Sequence, residues 1–311
     1  MKRAIYFTLG ALFLTASCSK IPDKHSGSII VTGIKTSKGA DLVSIQPDSG
    51  IISTTHINGY VFGSTVFDTK TNSYGFVNSD SVFVLIDPIT GAVNKSIKLP
   101  GFLSLAVIDE NDHTLIGRYT TIEYSEDPDT IDTKSAKAGP PVYSDYVLRV
   151  DLESGLILSE NQFDAGDGIY ACSYFYDPVE KAYYLLRADN YLISVNPATG
   201  EINKSVNLGT TLNNIVYNKE DNTIIGLTYS PGSNKIHLEV YDLKTCSQVS
   251  DVELDQLESY LACISGFDRE LNCYILVTGN QEVLFIDTST GKTVKSAKLD
   301  VPLNDIKFWK R

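Results

Sequence analysis

Four histidines, five cysteines and 38 carboxylates are the side chains best suited to chemistry in this 311-residue chain. His25, His56, His113 and His237 fall in four separate stretches, whereas a metal site needs three or four ligands converging on one point, so no shared metal site is expected. No GxSxG, Walker loop or HExxH motif occurs, and no histidine is placed by sequence to activate a particular serine or cysteine, so no catalytic residue is assigned. Among the cysteines, Cys18 directly follows the small residues Ala16 and Ser17 at the end of an apolar run. Cys263 lies five residues before Asp268 and Cys273 five after it. If Asp268 centres a hairpin, the two face each other on neighbouring strands. A Cys263–Cys273 disulfide fits that placement in an oxidising compartment, and so do two buried free thiols. Cys172 and Cys246 read as structural.

The start of the chain has the pattern of an export signal. Lys2 and Arg3 form a charged head, and Ile5 to Leu14 form an apolar core too short to span a bilayer. Thr15-Ala16-Ser17-Cys18 resembles the lipobox of bacterial lipoproteins, in which the cysteine becomes the lipidated N-terminus after cleavage. Leu14 stands four places before Cys18 rather than three, a looser form similar to the boxes of Bacteroidota. The resemblance implies a signal peptide over 1–17, a lipid on Cys18, a tether over 18–27 and an outer-membrane lipoprotein, periplasmic or surface-exposed. Each buried CH₂ of an acyl chain contributes about 0.8 kcal/mol, so a multiply acylated cysteine holds firmly to membrane. The net charge of −12 argues against a nucleic-acid partner, which needs concentrated Lys and Arg.

The remaining length, 28–311, is organised by repetition. Asp87-Pro-Ile-Thr-Gly91, Asp151-Leu-Glu-Ser-Gly155, Asn196-Pro-Ala-Thr-Gly200 and Asp287-Thr-Ser-Thr-Gly291 are copies of one turn. Gln46-Pro-Asp-Ser-Gly50 and Asp242-Leu-Lys-Thr-Cys246 are degenerate copies. Asp or Asn opening a turn bonds its own backbone two residues on, and a closing Gly takes the left-handed conformation. Each copy sits between alternating apolar runs, and the spacings of 41, 64, 45, 46 and 45 residues match a four-stranded propeller blade.

A second motif, apolar-aromatic-Asp/Asn, falls between those turns. It occurs at Val66-Phe67-Asp68, Val107-Ile108-Asp109, Phe175-Tyr176-Asp177, Val216-Tyr217-Asn218 and Gly266-Phe267-Asp268. The sixth copy is Phe308-Trp309-Lys310, with the lone Trp in the aromatic column. Both motifs count six, which predicts an all-β, six-bladed propeller rather than a seven-bladed one. The last segment, Leu303 to Lys310, is then an inner strand that closes the first blade and removes an exposed edge.

The Asp-Pro-x-Thr-Gly turns, with Lys-Ser following three of them at Lys95-Ser96, Lys204-Ser205 and Lys295-Ser296, resemble the YVTN and quinoprotein-like propellers over nearly all of 28–311. Quinone-dependent dehydrogenases of that superfamily carry a Trp shortly after each turn Gly. None of these repeats has one, so no quinone cofactor is implied.

Propellers usually meet ligands on the face built from loops entering the inner strands and loops joining second to third strands. Here those loops hold Asp80, Asp167, Asp189, Asn213, Asn214, Glu258, Asn304 and Asp305. Such a ring could coordinate Ca²⁺, as in propeller lactonases similar to gluconolactonase, or simply line a wet channel. Blade three is some twenty residues longer than its neighbours, with the excess between Tyr119 and Asp145. That excess carries Glu123, Glu126, Asp127, Asp129 and Asp132 with Tyr124 and Tyr143, and reads as a lid or partner loop or as a solvated acidic insertion. Three functions stay open: a lipid-anchored module binding a protein, peptide or glycan; a channel-centred hydrolase or lyase; and a scaffold subunit of an outer-membrane complex.

Overall fold

The computed structural model describes residues 29–36, 39–47, 49–124, 141–230, 235–255 and 257–310. The expected signal peptide, Cys18 and the expected tether lie outside them, as does the acidic stretch 125–140.

Among the described residues twenty-four strands form six four-stranded antiparallel sheets. β1 (Ile29–Lys35), β2 (Ala40–Gln46) and β3 (Gly50–Ile57) begin the first blade. β4 (Tyr60–Asp68), β5 (Ser73–Asn78), β6 (Val82–Ile86) and β7 (Val93–Lys98) make the second. The third holds β8 (Ser104–Asp109), β9 (Thr114–Tyr124), β10 (Pro141–Asp151) and β11 (Ile157–Phe163). The fourth holds β12 (Ile169–Asp177), β13 (Ala182–Arg187), β14 (Tyr191–Val195) and β15 (Ile202–Asn207). The fifth holds β16 (Asn213–Asn218), β17 (Thr223–Tyr229), β18 (Ile236–Asp242) and β19 (Gln248–Glu253). The sixth holds β20 (Tyr260–Asp268), β21 (Cys273–Thr278), β22 (Glu282–Asp287) and β23 (Thr293–Lys298). Finally β24 (Asn304–Lys310) pairs antiparallel with β1, completing the first blade with Ile29 opposite Lys310 and Val31 opposite Phe308. The fold is a six-bladed β-propeller, with β24, β4, β8, β12, β16 and β20 ringing a central channel.

Burial explains which segments take which place. Second strands are sandwiched between blades, so β5, β13 and β21 each bury five consecutive residues. The outermost strands are edges, and β7 and β15 carry the polar, mostly exposed Asn-Lys-Ser sequence there. The repeated turns work as their residues require. Asp87 Oδ1 accepts the N–H of Ile89 and of Thr90 at 2.7 and 2.9 Å, and Asp287 does the same for Ser289 and Thr290. Gly200 closes its turn at φ +77°, and a Cβ there would stand 2.5 Å from the Gln162 carbonyl of the preceding blade. Cys246 takes the same left-handed place at φ +53°, which confirms it as the substitute for a turn glycine.

The second motif also has a structural account. Each acid caps its own turn: Asp68, Asp109, Asp177 and Asp268 accept the N–H two residues on, at 2.9–3.0 Å. Three of them then reach the next blade around the ring. His113 Nε2 lies 2.9 Å from Asp68 Oδ2, Tyr176 donates to Asp109 at 3.0 Å, and Lys310 pairs with Asp268 at 3.3 Å. Trp309 does not stand in the aromatic column. Its partner across the ladder is Ile30, three residues before Gly33, as Asp109 and Asn218 face Thr114 and Thr223, three before Gly117 and Gly226. Trp309 therefore occupies the acid's place. Its ring stacks on Phe67 at 5.0 Å and its Nε1 donates to Thr32 at 2.9 Å, in place of the turn-capping bonds the acids make.

The six blades alternate. Inner strands of blades two, four and six are nine residues long, and those of one, three and five are six or seven. In the shorter ones Asp305, Leu105 and Asn214 take left-handed backbone at φ +48°, +53° and +52°. Each offers its carbonyl to a fully buried tyrosine of the next blade: Tyr74 to Asp305, Tyr183 to Leu105 and Tyr274 to Asn214, at 2.5–2.6 Å. The ring is three repeats of a double blade.

Candidate functional site

The alternation sets the chemistry of the channel. Counting back three residues from Asp68, Asp177 and Asp268, the long inner strands present Thr65, Tyr174 and Ser265 at matching places. Counting back two from Asp109, Asn218 and Trp309, the short ones present Val107, Val216 and Lys307. Thr65, Tyr174, Ser265, Val107 and Lys307 line a cavity of about 230 Å³, together with Cys172, Cys263 and Ile215. Its lining comes mainly from the second halves of the inner strands and reaches exposed Glu110 in the β8–β9 turn. The cavity thus opens on the turn face, opposite the loop face where the sequence places a ligand. Burial draws the Lys307 ammonium below the ordinary lysine range, with the Asp305 carboxylate opposing. Burial and Asp305 together push the Tyr174 phenol above its ordinary range.

The disulfide is a correction. Cys263 bonds Cys172, not Cys273, with 4.3 Å between the Cα atoms. The β20–β21 turn centres near residues 270–271, so Cys273 faces Asp268 and not Cys263. The register also shifts between Tyr260 and Ser265, where Cys263 takes φ +62°. Cys172 and Cys263 hold the same position in blades four and six, so the bridge crosses the channel over blade five and bounds the cavity. Asn214 secures it: its Oδ1 accepts the Cys263 N–H at 2.8 Å and its Nδ2 donates to the Leu261 carbonyl at 2.9 Å. Cys273 is a buried free thiol, pushed up to about 11 by burial and by Asp287 and Asp268.

The residues expected on the loop face do not gather into one ligand set. Asn214 and Asp305 are buried at the left-handed positions of their strands, where Asp305 accepts the Tyr60 hydroxyl. Asp189 pairs with Arg187 at 2.8 Å. Asn213 bonds the Thr211 carbonyl and Asn304 the Thr36 hydroxyl, both at 3.4 Å. Asp80, Asp167 and Glu258 are exposed, Glu258 on a separate groove of about 670 Å³ beside β22 and β23. Among the described residues no three His, Cys, Asp or Glu side chains come together as a group that could hold a metal ion.

The blade-three excess is partly strand. β9 and β10 run eleven residues each and pair from Thr114–Asp151 out to Tyr124–Pro141. Arg118 and Thr120 both donate to Asp145, at 2.6–2.8 Å, bracing the ribbon where it leaves the blade. Beyond that brace Ile122, Val142 and Tyr143 are 51%, 55% and 63% exposed, with Ile122 directly opposite Tyr143. A shallow hollow of about 460 Å³ lies between Tyr143–Asp145 and the segment Gln162–Gly166 entering blade four. The exposed apolar pair carried no sequence signal, because nothing marked where the strands would end.

No protein-family model matches this sequence, and neither does any curated protein. Its fold does have solved counterparts. A crystal structure of a protein of unknown function from Bacteroides caccae matches with a TM-score of 0.62 over 92% of this chain and 100% of its own, at 14% identity. Matches extend to 1175 chains, so the fold is widespread and does not itself select an activity.

Proposed function

We propose that the chain is a lipid-anchored envelope propeller that binds a protein, peptide or glycan on its loop face, without catalysis. The observation that carries this reading is the braced β9–β10 ribbon, which holds Ile122, Val142 and Tyr143 out to solvent on that face. Ile122 and Tyr143 face each other on one side of this projecting ribbon and Val142 lies on the other, so both sides offer exposed apolar surface to a partner. Chain direction supports the same orientation. Ile29 pairs with Lys310 where the inner strand ends, so the described chain begins at the turn face. A lipid on Cys18, about ten residues earlier, would hold the turn face toward the outer membrane and leave the loop face free, within about 35 Å of chain. Kinship with the YVTN and quinoprotein-like propellers, read from the turns, belongs to the same proposal.

The test is to replace Ile122, Val142 and Tyr143 together with Ser. The purified chain and the variant are then compared on peptide and glycan arrays and against detergent-solubilised envelope proteins. Loss of a specific ligand with an unchanged melting temperature supports the reading. Equal binding by both proteins would place recognition elsewhere. A partner retained by the variant but lost when the membrane complex is dissociated would instead favour the scaffold reading.

A further inference from the structure

We propose that the channel cavity is a binding site for a small carboxylate, held between the Lys307 ammonium and the Tyr174 hydroxyl. The internal repeat supplies the control for this argument. At the place of Lys307 the other two short inner strands carry Val107 and Val216, so the fold is satisfied by an apolar side chain there. At the place of Tyr174 the other long strands carry the small hydroxyls Thr65 and Ser265. One of three equivalent positions has thus gained a cation and another a long phenol, and both line the same cavity of about 230 Å³.

Among the described residues Lys307 makes no hydrogen bond or ion pair, and the Tyr174 hydroxyl has no hydrogen-bond partner. The one carboxylate acting on Lys307 is Asp305, which is already engaged by the Tyr60 hydroxyl. The Lys307 ammonium is half-buried in the channel and holds no hydrogen bond there, so an entering anion can pair with it without displacing a partner. The single positive charge, with Asp305 nearby, suits a monoanion better than a phosphate dianion. The volume is below that of drug-sized pockets and suits a ligand of a few carbons. The Cys172–Cys263 bridge bounds the site, and entry is past Glu110 on the turn face.

The experiment follows the melting temperature of the purified chain during titration with sodium pyruvate, sodium acetate, sodium phosphate and sodium chloride at matched ionic strength. A ligand that binds only the folded state raises the melting temperature in a saturable way. Pyruvate or acetate should raise it by several degrees, with phosphate and chloride flat. Lys307→Val, which restores the residue of the other two blades, should melt higher than the parent and show no carboxylate response. Tyr174→Phe should keep the response with an apparent Kd about 3–10-fold weaker. An equal response in Lys307→Val, or a response that tracks ionic strength alone, overturns the proposal. So does a parent chain that responds to none of the four salts. A Lys307→Val protein less stable than the parent would show that the lysine serves folding, and would overturn it as well.

Discussion

Asp87, Asp151, Asp287 and their relatives show how far single residues could be read directly. Asp in an Asx turn has one geometry that its side chain can satisfy, so residue type and place were enough to locate six turns. Cys246 is the informative exception. It occupies a left-handed position at φ +53°, where a residue with a Cβ is strained by about 1 kcal/mol. Cys246→Gly should therefore stabilise the chain by about that amount in urea unfolding. The pH response follows from the same side chains. Hydrogen bonds from Ser154 hold Asp151 below its usual range, and those from Ser289 do so for Asp287. A carboxyl with a depressed native pKa contributes stability above its unfolded pKa and loses it as pH falls, so acid should destabilise. At the other end, burial raises the phenols of Tyr74, Tyr183 and Tyr274 and lifts the Cys273 thiol from 9.0 to about 11. For groups raised in the native state, stability is intact below the unfolded pKa and falls above it. Urea midpoints should thus be flat near neutrality and decline from about pH 9 upward. Lys307 and Tyr174 were legible only once strand register aligned them with Val107, Val216, Thr65 and Ser265.

At the scale of elements, the strand count and the closing role of β24 followed from two motifs that each recur six times. The pairing of Cys172 with Cys263 did not, because it depends on register shifts and left-handed residues that no local pattern announces. Its closed loop spans a sequence separation of 91 residues, for which chain entropy alone gives about 4–5 kcal/mol. Replacing both cysteines by Ser should lower the melting temperature markedly, and dithiothreitol should do the same to the parent but not to the variant. β24 makes a second element-scale prediction. Trp309 is buried against Phe67 and bonded to Thr32, so Trp309→Ala should cost about 3 kcal/mol in urea unfolding. Removing residues 302–311 should abolish the cooperative melt, since β1 would become an open inner edge. A full cooperative transition in that truncation would contradict the closure.

Over the whole molecule, six blades built as three doubles leave two unlike ends. The signal for the doubles was present in the Tyr of blades two, four and six and in Gly33, Gly117 and Gly226 of the others. A search for one repeat per blade averages it away. The turn face carries the channel mouth and the start of the described chain, and the loop face carries the blade-three ribbon. The proposed function places recognition on the second face, and that proposal is the central functional claim. It is tested most directly by placing a photocrosslinking amino acid at Tyr143 on the ribbon, and separately at Val179, 83% exposed in a turn on the opposite face. Irradiation in the native envelope should give one defined adduct from position 143 and none from position 179. An adduct from 179 with none from 143 would contradict the account.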